Sequence, residues 1–367
     1  MPRPFLCEEI NMDFVYKFPV VKGIQAEKEY YIAMVPLKML SKLFPTDDEY
    51  VLPEYRAQRK INEARIPIIS RYILDNRESY VFSALAASID GGFRFSSASG
   101  TADAGVLEVN MDSKFLINDG QHRKAAILEA LKEEPSLRDE TIPIVFFADK
   151  GLARSQQIFT DLNKNAVKTS NSISELYDSR DQMAVMTRDV ISRIEFLNAY
   201  TDKEKDILGK FSSSLFTLNT FYTANKTIVG RGSIDNAKEF LLDFWNCVCK
   251  HMPQWQELEH KEITKIDLRE NYIATQSIVI HALGRIGNYL FQHQEIDMEE
   301  CLTRLDHVNW HRGSQQWYLR AINQNGRIIT SKKAALLIAN VIKSAVGIPL
   351  SVDEVAAEKA LQKIISE

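Results

Sequence analysis

The sequence predicts an α+β protein, with an N-terminal α/β half followed by a mainly helical C-terminal half. Three observations carry this. Between residues 31 and 147, short runs rich in β-branched and aromatic residues recur at strand length. From residue 172 onward, apolar residues recur three and four apart, the spacing of one helix face. Within the first half, Phe115-Leu116-Ile117-Asn118-Asp119-Gly120-Gln121-His122-Arg123-Lys124-Ala125-Ala126 reads as a buried strand that passes through a glycine turn into a helix. The expected division is residues 1–171 for the α/β domain and 172–367 for the helical domain.

In chain order, Tyr31–Val35, Val81–Ile89, Val106–Asn110, Lys114–Asn118 and Ile142–Phe147 read as strands. Met111-Asp112-Ser113 reads as a hairpin turn between two of them, because short polar residues favour turns. Arg65–Leu74 and Gln121–Glu133 read as helices, and in the second Ala125, Leu128 and Leu131 share one face. Gly91-Gly92 and residues 96–105 are small and polar and read as a flexible stretch near the glycine turn. In the second half Ser174–Asn198, Ser233–His251, Ile273–His293 and Ser331–Ser344 read as helices, the last with Ser331 or Thr330 as its N-cap. Residues 200–214 read as an exposed connection.

With 367 residues, 45% hydrophobic and 26% charged, the chain can bury a large core. It has no run of about 18 apolar residues, and Met1-Pro2-Arg3-Pro4 leads into a mixed segment unlike a signal peptide. A cytoplasmic protein without membrane association is expected. Cys7, Cys247, Cys249 and Cys301 are too few and too scattered for a disulfide framework. Cys247 and Cys249 stand two apart in a helical run and point to different faces, so core packing is expected there and not a shared zinc. His307 and His311 are four apart near Cys301, but no fourth ligand is evident, and no metal site is assigned.

The glycine turn carries the chemistry. Gly120 lets the backbone approach a ligand, while the open amides of a helix start and the donors of Gln121, His122 and Arg123 are expected to point outward together. Such a constellation suits a phosphate, since helix N-termini attract anions and an arginine fork matches phosphate oxygens. Asn118 to Arg123 are therefore the candidate site for a nucleotide phosphate or the DNA backbone. A solvated polar turn is the plainer reading of the same residues. No P-loop and no cysteine cluster for iron–sulfur or persulfide chemistry is present.

The run Asp119-Gly120-Gln121-His122-Arg123 resembles the motif for which the bacterial DGQHR domains are named. Gln58-Arg59-Lys60-Ile61-Asn62, Arg65-Ile66 and Ile69-Ser70-Arg71-Tyr72-Ile73-Leu74 resemble the segment that opens such domains. Ile142–Phe147 resembles the next core strand, and Ile158-Phe159-Thr160-Asp161-Leu162-Asn163-Lys164-Asn165-Ala166 a following helix. The wider chain resembles the DndB proteins of DNA phosphorothioation (sulfur modification) systems. The resemblance implies a fold similar to the ParB/sulfiredoxin superfamily in the N-terminal domain and a transcriptional repressor that binds promoter DNA of the modification genes. Sulfiredoxins carry a nucleophilic cysteine where this chain has Gln121, and a carboxamide cannot replace it, so sulfinic acid reduction is not expected. Relative to ParB, Gln121 stands in place of a glutamate, which weakens a metal-bridged triphosphate arrangement.

Net charge is −4, so contact with DNA must be local. Residues 54–71 carry Arg56, Arg59, Lys60, Arg65 and Arg71 against two glutamates, a balance of +3. Residues 150–168 carry Lys150, Arg154, Lys164 and Lys168 against Asp161, also +3. Residues 304–333 are the most basic, with Arg304, Arg312, Arg320, Arg327, Lys332 and Lys333 against Asp306, a balance of +5. Trp310, Trp317, Tyr318 and several amides lie among them. This window is either a DNA face, with a helix-turn-helix as one form of it, or a solvated surface with aromatic anchors in the core. The expected function is a non-enzymatic DNA-binding repressor. The alternatives are a nucleotide-binding switch or weak NTPase holding a nucleoside triphosphate, a ParB-like nuclease using Asp119 and His122, and a scaffold for other sulfur-modification proteins. A homo-oligomer is a further expectation. One carboxylate in the turn argues against two-metal cleavage.

Overall fold

The computed structural model describes residues 14–45, 62–147, 157–158, 161–162, 169–230 and 236–366. The chain divides into two compact units, Met1–Val167 and Lys168–Glu367. Arg56, Arg59, Lys60, Lys164 and Lys168 lie outside the described residues.

In the first unit the strands are β1 (Val15–Gln25), β2 (Lys28–Pro36), β3 (Leu85–Asp90), β4 (Phe93–Ser97), β5 (Ala104–Asn110), β6 (Lys114–Asp119) and β7 (Thr141–Phe147). The helices are α1 (Leu40–Leu43), α2 (Ile66–Asp75) and α3 (Gln121–Glu133). The strands form one seven-stranded sheet in the order β4-β5-β1-β2-β7-β3-β6. Only β3 and β7 run parallel; the other neighbours are antiparallel. The unit is therefore a mixed α+β structure.

Its shape follows from two short links. β3 and β4 stand five places apart in the sheet, about 24 Å if it were flat at a spacing of ~4.8 Å. Gly91-Gly92 joins them, and the three steps from Asp90 to Phe93 reach only about 11 Å. Met111-Asp112-Ser113 joins β5 to β6 under the same constraint. The sheet must curl until its two edges approach. Residues 85–97 and 104–119 form one antiparallel ribbon, bent at its middle, with Asp90 opposite Lys114 on one side of the bend and Phe93 opposite Val109 on the other.

At the bend Gly92 O accepts from Asn110 N at 2.9 Å and from Ser113 Oγ at 3.2 Å. Gly91 has φ +150°, and a Cβ there would lie 2.2 Å from Ser113 Oγ. Met111-Asp112-Ser113 is thus a corner and not the expected hairpin turn, because β5 pairs with β1 and β4 while β6 pairs with β3. The same short polar residues serve either geometry.

Alternating side chains fill the interior. Phe18, Phe115 and Phe146, from β1, β6 and β7, meet with ring centroids 5.4–6.3 Å apart. Tyr31 packs against Phe95 of β4 at 5.5 Å. Two strands lack a sequence signal. β1 contains Pro19, which argues against an interior strand, yet Phe18 and Val20 still point inward. β4 lies between and partly within the two segments expected to be flexible, and its Phe93 and Phe95 pack on the core.

The second unit is helical: α4 (Asn171–Tyr177), α5 (Gln182–Arg193), α6 (Glu195–Tyr200), α7 (Leu218–Val229), α8 (Ala237–His251), α9 (Pro253–Glu259), α10 (Lys265–Asn271), α11 (Ser277–Gln292), α12 (Met298–Thr303), α13 (Lys332–Val346) and α14 (Val352–Ser366). The expected single helix Ser174–Asn198 is three, because Asp181 leaves the helical region and caps α5 by accepting from Met183 N at 2.8 Å and Ala184 N at 3.2 Å. Ser331 caps α13, its Oγ accepting from Ala334 N at 3.1 Å. No helix among the described residues is long and apolar enough to cross a membrane.

Acidic groups crowd the start of this unit. Asp206 accepts from the amides of Asn171 and Ser172, each at 2.8 Å, and Asp181 accepts from Tyr222 Oη at 2.5 Å. Burial, with the Asp206 and Asp181 carboxylates nearby, pushes the Glu175 carboxyl up to about 7. The folded state then holds a proton that the unfolded chain releases near the ordinary glutamate value, so stability falls as pH rises from about 4.5 to about 7. We predict that Glu175→Gln flattens this decline and raises the melting temperature at pH 8 relative to the parent. A parallel pH profile for the two proteins would contradict it.

Candidate functional site

The turn is built from the end of β6. Ala86 stands opposite Asp119 and Ala87 opposite Ile117, so Asn118 is the extra residue of a bulge. The bulge turns Asn118 into the interior, where it is fully buried and its Nδ2 donates to Ser88 Oγ at 2.7 Å. Asn118 therefore sets the direction in which the chain leaves the sheet, and it does not face solvent. Gly120 follows with φ +101°, and a Cβ there would meet Leu85 Cδ2 at 2.3 Å. Backbone conformation and space both require glycine.

Arg123 does not point outward with its neighbours. Its guanidinium folds back over the turn, donating to Ser83 O at 2.7 Å, Ala84 O at 2.9 Å and Asp119 Oδ2 at 2.6 Å, with Ser83 Oγ also in contact. Its side chain is only 17% exposed. Arg123 thus binds the first turn of α3 to the entry of β3, because two backbone carbonyls there would otherwise lose their donor.

His122 joins the turn to a second helix. Asn62 N donates to His122 Nε2 at 3.0 Å. Asn62 in turn accepts from Ala64 N and, through its carbonyl, from Arg65 N, forming the turn that leads into α2. At the opposite ends Arg71 lies 3.6 Å from Glu133, and Arg77 3.2 Å from Glu134. Helices α2 and α3 therefore run parallel with their N-termini side by side. Each N-terminus carries roughly +0.5 of an elementary charge. The first turn of α3 has no acidic residue and no side-chain cap, and it carries His122, Arg123 and Lys124. His122 accepts at Nε2 and is neutral in this arrangement, and Arg123 is paired with Asp119, so Lys124 is the cation of this turn that opposes the helix dipole. Exposed Arg65 stands at the same end. The structure thus brings together Asp119 to Arg123 and Arg65.

The basic window of the second unit is less free than its composition implies. Arg304 pairs with Glu300 at 3.0 Å, and Arg320 pairs with Glu358. Arg312 donates to Gly326 O at 2.6 Å, while Arg327, Lys332 and Lys333 are exposed. Trp310 and Trp317 are core residues, stacked at 5.9 Å, with their indole N–H groups donating to Leu305 O and Asn309 O. No α-helix lies between Thr303 and Lys332, and α13 is buried along most of its length, so the window is not a helix-turn-helix. His307 lies 3.6 Å from Asp306, and His311 Nδ1 accepts from Gly313 N, neither directed at Cys301, whose thiol faces Val346 O.

Fold and turn together define an α+β protein in which a strand-to-helix turn lies beside the N-terminus of a second helix. The chain matches the family DndB, DNA-sulfur modification-associated, over residues 18–349, and it belongs to that family. No curated protein and no solved structure matches the chain.

The geometry separates residues that hold the turn from those that face outward. Arg123→Ala should cost about 2–3 kcal/mol in urea unfolding, from the missing charged hydrogen bonds and two unsatisfied carbonyls. This follows from the inward fold of Arg123, which replaces the expectation that its donors point outward. Gly120→Ala should cost about 1–3 kcal/mol. Gln121→Ala should stay within about 0.5 kcal/mol of the parent. Equal, small losses for all three would remove the structural distinction.

Proposed function

We propose that this DndB family member is a DNA-binding repressor of the phosphorothioation gene cluster to which it belongs, acting in the cytoplasm on promoter DNA. Membership of a DNA-sulfur modification-associated family supplies the context. The observation that carries the reading is the meeting of the α2 and α3 N-termini at the Asn62–His122 hydrogen bond, with Arg65 exposed beside it. The uncapped amides at the start of α3, with the Arg65 cation nearby, suit a phosphate of the DNA backbone. The turn as a ParB-like device, and a role for the other sulfur-modification proteins as partners, belong to the same proposal. Arg312, Arg327 and Lys332 offer a second region for DNA, while the pairing of Arg320 with Glu358 favours a structural role for that residue.

A second reading, a nucleotide-binding switch, is favoured by the convergence of two helix N-termini on a small area. This suits a compact terminal phosphate as well as it suits a duplex.

The test is DNA binding to the promoter of the modification genes, followed by anisotropy across a salt series. Arg65→Ala with Lys124→Ala should lower the salt slope by roughly one unit for each phosphate that is no longer neutralised. A larger fall from neutralising Arg312, Arg327 and Lys332 would move the DNA to the helical unit. Failure to prefer the promoter over scrambled duplex, with slopes unchanged in both variants, would overturn the repressor. Thermal stabilisation by a nucleoside triphosphate that disappears in His122→Ala would establish the switch.

A further inference from the structure

A second cluster of chemically active side chains lies in the helical unit, apart from the turn. Cys247 and His251 stand four residues apart on α8, hence on one face, and Glu299 comes from the first turn of α12. The ligating atoms of these three residues lie within 4.8 Å of one another. Cys247 Sγ is 3.3 Å from Glu299 Oε2, and His251 Nε2 is 2.8 Å from Glu299 Oε1. We propose that Cys247, His251 and Glu299 form a zinc(II) site that joins α8 to α12.

Geometry and ligand chemistry support this. Tetrahedral ligands at the usual zinc distances stand about 3.3–3.6 Å apart; Sγ meets one Glu299 oxygen and Nε2 the other, so the carboxylate must turn and move back by roughly 0.5 Å to offer a single oxygen to both. Glu299 can provide that movement, because its side chain is 51% exposed. Lys250 Nζ pairs with the same carboxylate; its side chain is 65% exposed and can turn to solvent when a metal takes its place. Thr303 Oγ1 lies 3.4 Å from His251 Nε2, and it or a water would supply the fourth ligand.

Sulfur and imidazole select a borderline-soft ion over magnesium or calcium. On binding, the Cys247 thiol loses its proton to solvent and forms the Zn–S bond. One thiolate and one carboxylate then balance the 2+ charge, and the imidazole enters neutral. A neutral site is the arrangement that a half-buried position tolerates best. The site is independent of the DNA reading, since none of its residues belongs to the turn or to the basic window.

The experiment uses the full chain, stripped with chelator and titrated with zinc(II) and cobalt(II). The expected result is about one equivalent of metal per chain, with a rise in melting temperature and, for cobalt, thiolate charge-transfer and tetrahedral d–d absorption. Cys247→Ser and His251→Ala should each abolish that absorption, while Cys249→Ser should keep it. If Cys247→Ser fails to fold, the loss of absorption in His251→Gln and Glu299→Gln decides the question. Cobalt absorption without thiolate character, the same absorption in the His251 and Glu299 variants, or no binding at all would overturn the site.

Discussion

The placement of Arg123 governs the N-terminal unit. One guanidinium satisfies the carbonyls of Ser83 and Ala84 and the Asp119 carboxylate, so the end of β6, the start of α3 and the entry to β3 are held by a single side chain. This works because the Asn118 bulge and the left-handed Gly120 bring α3 back across the sheet edge at the right angle. The residue that looks most like a ligand-binding group in the sequence is therefore committed to the scaffold. What the turn leaves without a side-chain cap is the backbone at the start of α3. A site made largely of amides is rigid, because its donors are fixed by the same hydrogen bonds that fix the helix.

The curled ribbon gives that site its foundation. Because residues 85–97 and 104–119 supply strands to both edges of one sheet, neither edge can open without breaking the corner at Gly91 and Ser113. The clamp at Arg123 acts on β3 and β6, the half of the ribbon beyond that corner. The two constraints share strands and reinforce each other.

Much of the fold was legible where hydrophobic pattern and burial coincide. β2, β5, β6 and β7 announce themselves through alternating branched and aromatic residues, and α13 through its periodic apolar face; α3 is legible as a helix, but it buries Ala126, Ile127 and Ala130, while the expected face of Ala125, Leu128 and Leu131 is only partly buried. β1 was hidden by Pro19, and β4 by the serines and glycines around Phe93 and Phe95. Pairing was not legible at all: a three-residue polar link looks the same whether it closes a hairpin or turns a corner, and only the long-range register decides. The strand, glycine and helix of the turn could be read from residues 115–126, but the inward direction of Asn118 and Arg123 could not, since both depend on β3. The Cys247–His251 pair had a readable signal, a cysteine and a histidine four apart on one helix. Cys249, two residues on, masks it by making the run read as core, and the partner Glu299 is 48 residues from His251.

Charge shows most clearly how sequence and space differ. Counted along the chain, residues 304–333 are the most basic window, yet the partners of Arg304 and Arg320, Glu300 and Glu358, lie outside it. Pairing these two reduces its balance from +5 to +3. The turn moves the other way. Composition assigns nothing to a helix start, but the uncapped N-terminus of α3 contributes about half an elementary positive charge through donors that cannot rotate away. A surface lysine must lose side-chain freedom to hold a phosphate, whereas the amides of α3 are ordered before any ligand arrives. On this physical ground the proposed phosphate site is assigned to the α/β unit, although the helical unit holds the more basic stretch of sequence.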